Sequence, residues 1–184
     1  MRNGLHINTF TGIHFYPLDP KITEIKTEDI AHALSLICRA NGHCSHFYSV
    51  AQHSLNCAEE AKIRDYSTRV QLGCLLHDAS EAYISDITRP VKKELKSYLK
   101  LEDNLQKVIY QAYSLENLTV QELEAIKEID DAMLYYEMEN LLNANIGNSK
   151  QHVRKHDLSY RAMHEVKVEF ISHIENHYKT LINQ

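Results

Sequence analysis

The sequence contains no run of about eighteen or more apolar residues, so a membrane-spanning helix is not expected. Residues 1–6 also lack the apolar segment of a signal peptide. Basic residues are not in excess, because the formal net charge is -5, and a nucleic-acid partner is therefore not expected. The four cysteines show no Cys-x-x-Cys spacing. They are expected to be reduced thiols in a cytoplasmic protein without membrane contacts.

What the sequence does contain is typical of one globular domain. Its 184 residues are enough to bury a full hydrophobic core. Hydrophobic residues make up 43% and charged residues 24%, and both values are ordinary. Twelve histidines are unusual, and only their placement can indicate a role. An acidic protein can still bind a small anionic substrate, because a metal ion and a few arginines create a local positive site.

The residue pattern predicts a small N-terminal β-hairpin followed by helices. Two β-prone runs, residues 7–10 and 13–16, flank Thr11-Gly12, and two prolines then end regular structure. From Thr27 onward, apolar residues recur with helical spacing. Six helices are predicted, beginning near residues 27, 49, 67, 91, 120 and 159. The fold class is therefore all-α, a single helical bundle of about six helices with a small N-terminal hairpin.

Capping residues and stop signals give the expected helix boundaries. Ser49-Val50-Ala51-Gln52 and Thr119-Val120-Gln121-Glu122 both match the capping box. The first helix should stop at Asn41-Gly42, and the third should run without a break to about Tyr83. The last three should span about 91–113, 120–144 and 159–181, with a loop at 143–150. Within one domain of residues 1–184, we expect a lead-in at 1–26, a metal-binding core at 27–145 and a C-terminal helix within 151–184.

The stretch from Cys74 to Tyr83 concentrates titratable groups inside an apolar segment. His77 and Asp78 are adjacent, and Glu81 follows His77 by four residues, on the same face of a helix. Burying such groups is costly unless something pairs them. A divalent metal ion would pair them, with Glu81 within reach of a water bound to that metal.

Two further metal ligands are predicted on other helices. His53 lies on the inward face of the helix that begins at Ser49, and Asp130 lies on an otherwise apolar stripe. The neighbouring Asp131 is the alternative to Asp130. Two imidazoles and two carboxylates suit one Mn, Fe, Co, Ni or Mg ion better than a structural zinc ion. A metal-bound water of lowered pKa would be the nucleophile, and the metal would polarise a phosphoryl group.

The order of these ligands resembles the signature of HD-domain metal-dependent phosphohydrolases, over roughly residues 28–140. The stretch from His77 to Glu81, followed by Asp86 and Pro90-Val91-Lys92, is similar to the bacterial 5′-deoxynucleotidase branch in particular. Arg39 lies fourteen residues before His53, about where that branch has an arginine. The resemblance implies a small-molecule nucleotide substrate: nucleoside 5′-monophosphates, also di- and triphosphates, or those of a nucleoside analogue.

The resemblance also implies roles for the residues around the metal. Glu81 would orient the attacking water or move a proton. Asp86 would contact the sugar or help to protonate the leaving oxygen. Arg39 would hold the phosphate through charge-assisted hydrogen bonds. Further substrate contacts are expected from His43, Arg89 and Lys92.

Several alternatives stay open at this point. His53 could be a core histidine, Glu81 and Asp86 could be surface and turn residues, and Arg39 could offset a helix dipole. Other HD enzymes release triphosphate from deoxynucleoside triphosphates or act on alarmones or cyclic nucleotides, and a degenerate HD scaffold could be a non-catalytic signalling module. A second pair, His156-Asp157, is expected to form a capping turn before the last helix. Base and sugar preference, the physiological metal and the number of subunits, including a homodimer, are not determined.

Overall fold

The computed structural model describes residues 2–144 and 153–183, and its regular structure is helical apart from one hairpin. Strands β1 (Ile7–Asn8) and β2 (His14–Phe15) pair in antiparallel fashion, with Ile7 opposite Phe15. The helices of the described residues are α1 (Thr27–Leu36), α2 (Val50–Ile63), α3 (Thr68–Leu76), α4 (Glu81–Ile84), α5 (Arg89–Lys92), α6 (Lys96–Ala112), α7 (Val120–Leu141) and α8 (Met163–Ile182). The predicted all-α fold class with a small hairpin is confirmed.

Both capping boxes are present and begin helices where predicted. Ser49 Oγ accepts from the Gln52 amide at 3.1 Å, and the Ser49 amide donates to Gln52 Oε1 at 3.2 Å. Thr119 and Glu122 form the same reciprocal pair at the start of α7. These caps satisfy amides that have no partner within the helix.

The predicted third helix is wrong in one respect, because it breaks after Leu76. His77 Nδ1 lies 2.7 Å from the Cys74 carbonyl, and Gln106 Nε2 donates to the Leu76 carbonyl at 2.7 Å. The backbone amides that follow donate to carbonyls three residues earlier in the chain. The Ala79 amide, for example, donates to the Leu76 carbonyl at 3.0 Å. His77 and Asp78 therefore lie in a tight turn between α3 and α4, because side chains occupy the carbonyls that would continue the helix.

Four other boundaries also differ from the prediction, and one of them is the end of α7 at Leu141 instead of residue 144. The first helix ends at Leu36, because Arg39 and Val50 amides pair with Tyr48 and Ile37 carbonyls in a short bridge. The predicted helix at 91–113 divides into α5 and α6 at Lys93–Leu95, and the last helix begins at Met163. Residues 145–150 of the predicted loop lie outside the described residues, as do residues 145, 151, 152 and 184 at the ends of the predicted segments.

Helix α3 lies at the centre of the packing, in contact with α2, α7 and α8. Its Leu72, Cys74, Leu75 and Leu76 are fully buried. A Cβ on Gly73 would lie 2.3 Å from Ile126 Cδ1, so a larger residue there would require α7 to move or the isoleucine side chain to shift. The contact sets α3 beside the first half of α7. None of the helices in the described part of the chain combines the length and apolarity that crossing a bilayer requires.

The segment before α8 is bound along α2, and it corrects the expectation for the second His-Asp pair. Buried His156 lies 2.8 Å from Glu60 Oε2 through its Nε2, and the Arg154 amide donates to the same oxygen at 3.1 Å. Asp157 accepts from the Ser159 amide at 2.9 Å, within its own turn. Neither residue caps α8, whose N-cap is Ala162 without a side-chain bond. His156 and the Arg154 amide thus fasten the C-terminal segment to α2 through Glu60.

Candidate metal centre

Helix α2 directs His53 into the centre of the molecule. His53 lies one turn after the Ser49 cap and is fully buried. Its Nδ1 lies 2.7 Å from Glu137 Oε1 on α7. Because an ionised carboxylate only accepts hydrogen bonds, the ring proton belongs on Nδ1, and the lone pair of Nε2 is free to bind a metal.

The turn after α3 directs His77 and Asp78 toward the same point. The Nδ1 of His77 faces the Cys74 carbonyl, which can only accept, so Nε2 is again the free nitrogen. This Nε2 lies 3.3 Å from Nε2 of His53 and 3.3 Å from Asp78 Oδ2. Adjacent residues can converge here because the backbone has left the regular helix.

Helix α7 supplies Asp130, whose position differs from that of Asp131. Asp130 Oδ1 lies 3.2 Å from Nε2 of His53 and 3.6 Å from Nε2 of His77. Asp131 is instead paired with Arg89 at 2.7 Å and with Lys127 at 2.5 Å. The geometry therefore brings Asp130, and not its neighbour, to the two imidazoles.

These four side chains fit a single divalent ion. Metal–nitrogen and metal–oxygen bonds of about 2.0–2.2 Å place two ligand atoms of one ion about 3–3.5 Å apart. The distance between the two nitrogens and the four distances from a nitrogen to a carboxylate oxygen run from 3.2 to 3.9 Å. Two imidazole lone pairs that face each other at 3.3 Å repel unless a cation lies between them. The donor set thus demands positive charge at its centre.

The pKa values of the four groups reflect the same demand. Burial acts to lower the pKa of His77, but the carboxylates of Asp78 and Asp130 outweigh it and hold that pKa well above its usual range. Burial would raise the pKa of Asp78 and of Asp130, but the neighbouring histidines hold both values below the usual range. The four side chains therefore bind protons when no cation supplies positive charge between them.

Cys57 is a further group beside the two histidines. His53, Cys57 and His77 offer ligand atoms that all lie within 4.8 Å of one another. The Cys57 sulfur lies 3.5 Å from Nε2 and 3.9 Å from Nδ1 of His53, so it is nearly equidistant from the two nitrogens. A metal binds in the ring plane along the lone pair of one nitrogen. The sulfur therefore packs against the ring, and the carboxylates are better placed as ligands.

Arg39 and Glu137 form a largely buried ion pair next to the candidate metal centre. Arg39 donates to Asp78 Oδ2 at 3.3 Å and to Glu137 Oε2 at 3.3 Å, and its side chain is 12% exposed. It lies at the start of a turn in which Ala40 and Asn41 have φ of 51° and 52°, in the left-handed region. Such a turn is strained for residues other than glycine. Arg39 is thus a buried residue outside α1, not a solvated helix end.

Glu81 is the first residue of α4, and its amide donates to the Asp78 carbonyl at 3.0 Å. It is buried, its Oε2 has no hydrogen-bond partner, and Lys92 Nζ lies 3.9 Å from its Oε1. Burial, together with the negative charges of Asp78 and Asp86, raises the pKa of Glu81 to about 10. An unpartnered buried oxygen is costly unless a ligand or water meets it.

The remaining predicted residues lie at different distances from the cluster. Asp86 is half-buried, and burial raises its pKa. It follows Ser85, which has a positive φ and whose carbonyl accepts a hydrogen bond from the Tyr98 hydroxyl. Arg89 lies 3.4 Å from Asp130 Oδ2 and is about half exposed. Lys92 is paired with Glu102 at 2.5 Å. His43 is exposed, and among the described residues no hydrogen bond joins it to the cluster.

Glu137 is the residue that the sequence reasoning missed. Its side chain is 4% exposed, and it contacts both His53 and Arg39. The nearby histidine and arginine outweigh burial and hold the pKa of Glu137 below its usual value. A signal existed, because Glu137 lies seven residues after Asp130 on the same otherwise apolar stripe.

The chain is similar to known proteins. A family model described as HD domain matches residues 34–180. The chain is 42% identical over 109 residues to the uncharacterized protein YfdR of Escherichia coli (strain K12). The aligned region covers 59% of this chain and 58% of that protein. It is 36% identical over 131 residues to an uncharacterized protein of Rhodobacter capsulatus. Here the aligned region covers 67% of this chain and 66% of that protein. The chain thus spans less than two thirds of the length of these relatives.

Proposed function

The chain belongs to the HD-domain family, and from this membership we propose that it removes phosphate from nucleoside 5′-phosphates in a metal-dependent hydrolysis. Members of the family are generally hydrolases that bind divalent metal ions. The observation that carries the proposal is the convergence of two imidazole nitrogens, 3.3 Å apart, with two carboxylate oxygens that lie 3.2–3.9 Å from them, beside a largely buried arginine and a buried glutamate.

In this proposal His53, His77, Asp78 and Asp130 hold one divalent ion. Two nitrogen and two oxygen ligands favour Mn, Fe, Co or Ni. Mg, a cation that prefers oxygen ligands, is the alternative. When bound, the ion would lower the pKa of a water molecule and polarise a phosphoryl group. Donation from Nδ1 to Glu137 and to the Cys74 carbonyl orients the two imidazoles for this task.

The residues around the ligands act on the phosphate and on the proton. Arg39 has guanidinium N–H groups beyond those that meet Asp78 and Glu137, and these can donate to phosphate oxygens. The free Oε2 of Glu81 orients the attacking water, and it would accept a proton from that water once the positive charge of a bound ion lowers the raised pKa of Glu81. Asp86 donates its proton to the leaving oxygen, a role that suits a carboxyl group with a raised pKa.

Three cationic or polar residues complete the substrate contacts in this proposal. Arg89, about half exposed above Asp130, and Lys92, beside Glu81, provide positive charge for phosphate oxygens. His43, exposed after the turn that carries Arg39, contributes at the mouth of the site. These contacts are secondary, because Arg89 and Lys92 already pair with acidic side chains.

The choice of nucleoside 5′-phosphates comes from the resemblance to the 5′-deoxynucleotidase branch. The chain, including its N-terminal hairpin, also resembles the small HD phosphohydrolase of oxetanocin biosynthesis, and this likeness supports a phosphorylated nucleoside or nucleoside analogue as substrate. Monophosphates are the primary substrates in this proposal, and di- and triphosphates are accepted by stepwise release of orthophosphate.

Phosphate release from nucleoside mono-, di- and triphosphates, each with Mn, Co, Ni and Mg, tests the proposal. Activity should require a divalent ion, and His77→Ala and Asp78→Ala should lose both metal binding and turnover. His164→Ala, an exposed residue of α8, is the matched control and should retain both. Release of intact triphosphate would indicate a triphosphohydrolase instead, and metal-dependent turnover in His77→Ala would contradict the assignment.

A further inference from the structure

The irregular segment of residues 154–159, which we call the C-terminal strap, lies across α2 and is bound mainly through its backbone. Four of its six residues are exposed. The carbonyl oxygens of residues 156–159 each accept a hydrogen bond from a side chain of another element, in the order Tyr136, Asn56, His46 and Gln52. These donors belong to α7, to α2 and to the loop of residues 39–48. The strap therefore joins three parts of the chain that border the candidate metal centre.

His46 connects the strap to the middle of the loop of residues 39–48. Its Nε2 lies 2.7 Å from the Leu158 carbonyl, and because a carbonyl can only accept, the proton belongs on Nε2. Its Nδ1 lies 3.2 Å from the hydroxyl of Ser45, whose amide donates to the Leu141 carbonyl at the end of α7 at 2.8 Å. The middle of the loop is thus fixed both to the strap and to α7.

Asn56 connects the strap to the end of the same loop. Its Nδ2 donates to the Asp157 carbonyl at 3.1 Å and to the Tyr48 hydroxyl at 2.8 Å, which uses both hydrogens of the amide. Tyr48 is fully buried, and its own carbonyl accepts from the Arg39 amide at 2.9 Å. One series of hydrogen bonds therefore leads from the strap through Asn56 and Tyr48 to the backbone of Arg39.

The turn at Arg39 depends on such outside contacts. The next two residues, Ala40 and Asn41, have left-handed φ angles, which residues other than glycine adopt at a cost. The guanidinium of Arg39 meets Asp78 and Glu137 at 3.3 Å each, which is longer than the about 2.7–2.9 Å of strong charge-assisted hydrogen bonds. Since these contacts hold the side chain loosely, the position of the guanidinium follows the position at which the backbone is held.

We propose that the C-terminal strap positions Arg39 for phosphate binding, with His46 and Asn56 as the positioning residues. The inference rests on the proposed function, in which Arg39 donates to phosphate oxygens. It gives the strap a part in substrate affinity, in addition to its part in the stability of the fold.

Removal of the two strap contacts tests the inference. His46→Ala and Asn56→Ala should raise KM for 2′-deoxyadenosine 5′-monophosphate about 2- to 10-fold, because the loss of one hydrogen bond shifts a local equilibrium by about that factor. The change in kcat should be smaller than the change in KM. The Co²⁺ affinity should change less than about twofold, since the imidazole ligands keep their own partners. His46→Gln restores an N–H donor toward the Leu158 carbonyl, so its KM should return toward that of the wild-type protein.

Hydrogen exchange measures the positioning itself, without a reaction. The Arg39 amide, which donates to the Tyr48 carbonyl, should exchange about 2- to 10-fold faster in both alanine variants. Exposed residues of α8 provide the matched controls. His164→Ala and Asn176→Ala should match the wild-type protein both in KM and in exchange at Arg39.

Unchanged KM in both folded alanine variants would overturn the inference, whatever their exchange rates. A loss of Co²⁺ affinity as large as the rise in KM would also overturn it, because the strap would then act on the metal centre and not on Arg39. If the wild-type protein hydrolyses no phosphate ester, the proposed function fails, and binding of inorganic phosphate to the Co²⁺-loaded protein replaces KM as the readout. Weaker phosphate binding in both alanine variants would then support the role of the strap, and no difference among the three proteins would reject it.

Discussion

Asp130 and Asp131 are adjacent on α7 yet have different surroundings. Asp130 faces both imidazoles, whereas Asp131 pairs with Arg89 and Lys127 at the surface. Asp130→Asn should therefore lower the affinity for Co²⁺ or Mn²⁺ by more than about 100-fold, because an amide is a weaker ligand and removes a negative charge. Asp131→Asn should change it less than about threefold, since screened surface pairs contribute little. Titration calorimetry measures both, and a larger loss in Asp131→Asn would exchange the two assignments.

Glu137 positions two residues at once. Its Oε1 faces Nδ1 of His53 at 2.7 Å and its Oε2 faces Arg39 at 3.3 Å. In Glu137→Gln the amide oxygen can serve one of these donors, but the amide nitrogen then faces the other. Metal affinity should fall about 10- to 100-fold, as it does when the outer partner of a metal-binding histidine is lost.

A merely structural role of Glu137 would give a different pattern. Loss of orientation at Arg39 should raise KM for the phosphate ester as well as weaken metal binding, whereas simple destabilisation should lower the folded fraction without changing either constant. Glu139→Gln, on an exposed face two residues away, is the control and should match the wild-type protein. Unchanged metal affinity and KM in folded Glu137→Gln would remove Glu137 from the site.

Among the elements, local chemistry determined how well the sequence could predict the fold. The hairpin and both capping boxes depend on neighbouring residues, and they were predicted correctly. The break after Leu76 involves Gln106, thirty residues away in the chain, as well as the neighbouring His77, so the local pattern alone could not indicate it. The same holds for the candidate site. The sequence indicates His53 and Asp130 as polar residues on inward faces, but the pairing of Glu137 with Arg39 requires knowledge of how α7 meets the turn after α1.

The close contact between α3 and α7 can be tested at Gly73. Gly73→Ala places a methyl group 2.3 Å from Ile126 Cδ1, so the helices must move apart or the isoleucine must change rotamer. We expect a loss of about 1–3 kcal/mol in the free energy of unfolding. Because Ile126→Val removes Cδ1, the double variant should lose less than the sum of the two single variants. Urea unfolding provides the four values, and additive losses would show that the clash is relieved elsewhere.

The attachment of the C-terminal segment to α2 should depend on pH. Buried Glu60 accepts from His156, from Arg64 at 2.8 Å and from the Arg154 amide. Burial acts to raise the pKa of Glu60, but these hydrogen bonds outweigh it and hold the pKa below the ordinary 4.5. A lowered folded-state pKa means that ionised Glu60 stabilises the protein fully above the unfolded pKa, and that this stability is lost as the pH falls through the folded-state pKa.

Glu60→Gln should accordingly lower the free energy of unfolding at pH 7 by about 1–3 kcal/mol, because an amide cannot accept all three hydrogen bonds. The difference from the wild-type protein should shrink below pH 4.5, where Glu60 itself becomes protonated. Glu59→Gln, exposed on the same helix, should show no such difference at either pH. A destabilisation of Glu60→Gln that is constant from pH 7 to pH 3 would contradict the ionised role.

At the scale of the whole molecule, the candidate ligands come from three separate parts of the chain. His53 belongs to α2, His77 and Asp78 follow α3, and Asp130 belongs to α7. Without a cation, several buried carboxylates and two facing imidazoles must share protons, which opposes close packing of these helices. An ion that binds only the folded chain joins all three parts, so metal binding and folding are linked.

This linkage predicts the effect of metal removal. An ion present at about 100 times its Kd adds about 2.7 kcal/mol to the free energy of unfolding, which corresponds to a rise in Tm of about 5–10 °C for a chain of this size. A chelator should remove that increment, and added Mn²⁺ or Co²⁺ should restore it. In His77→Ala the same additions should shift Tm by less than about 1 °C, because one imidazole of the set is missing. Differential scanning calorimetry distinguishes the two proteins, and an equal metal response in both would place the stabilising ion somewhere other than between His53, His77, Asp78 and Asp130.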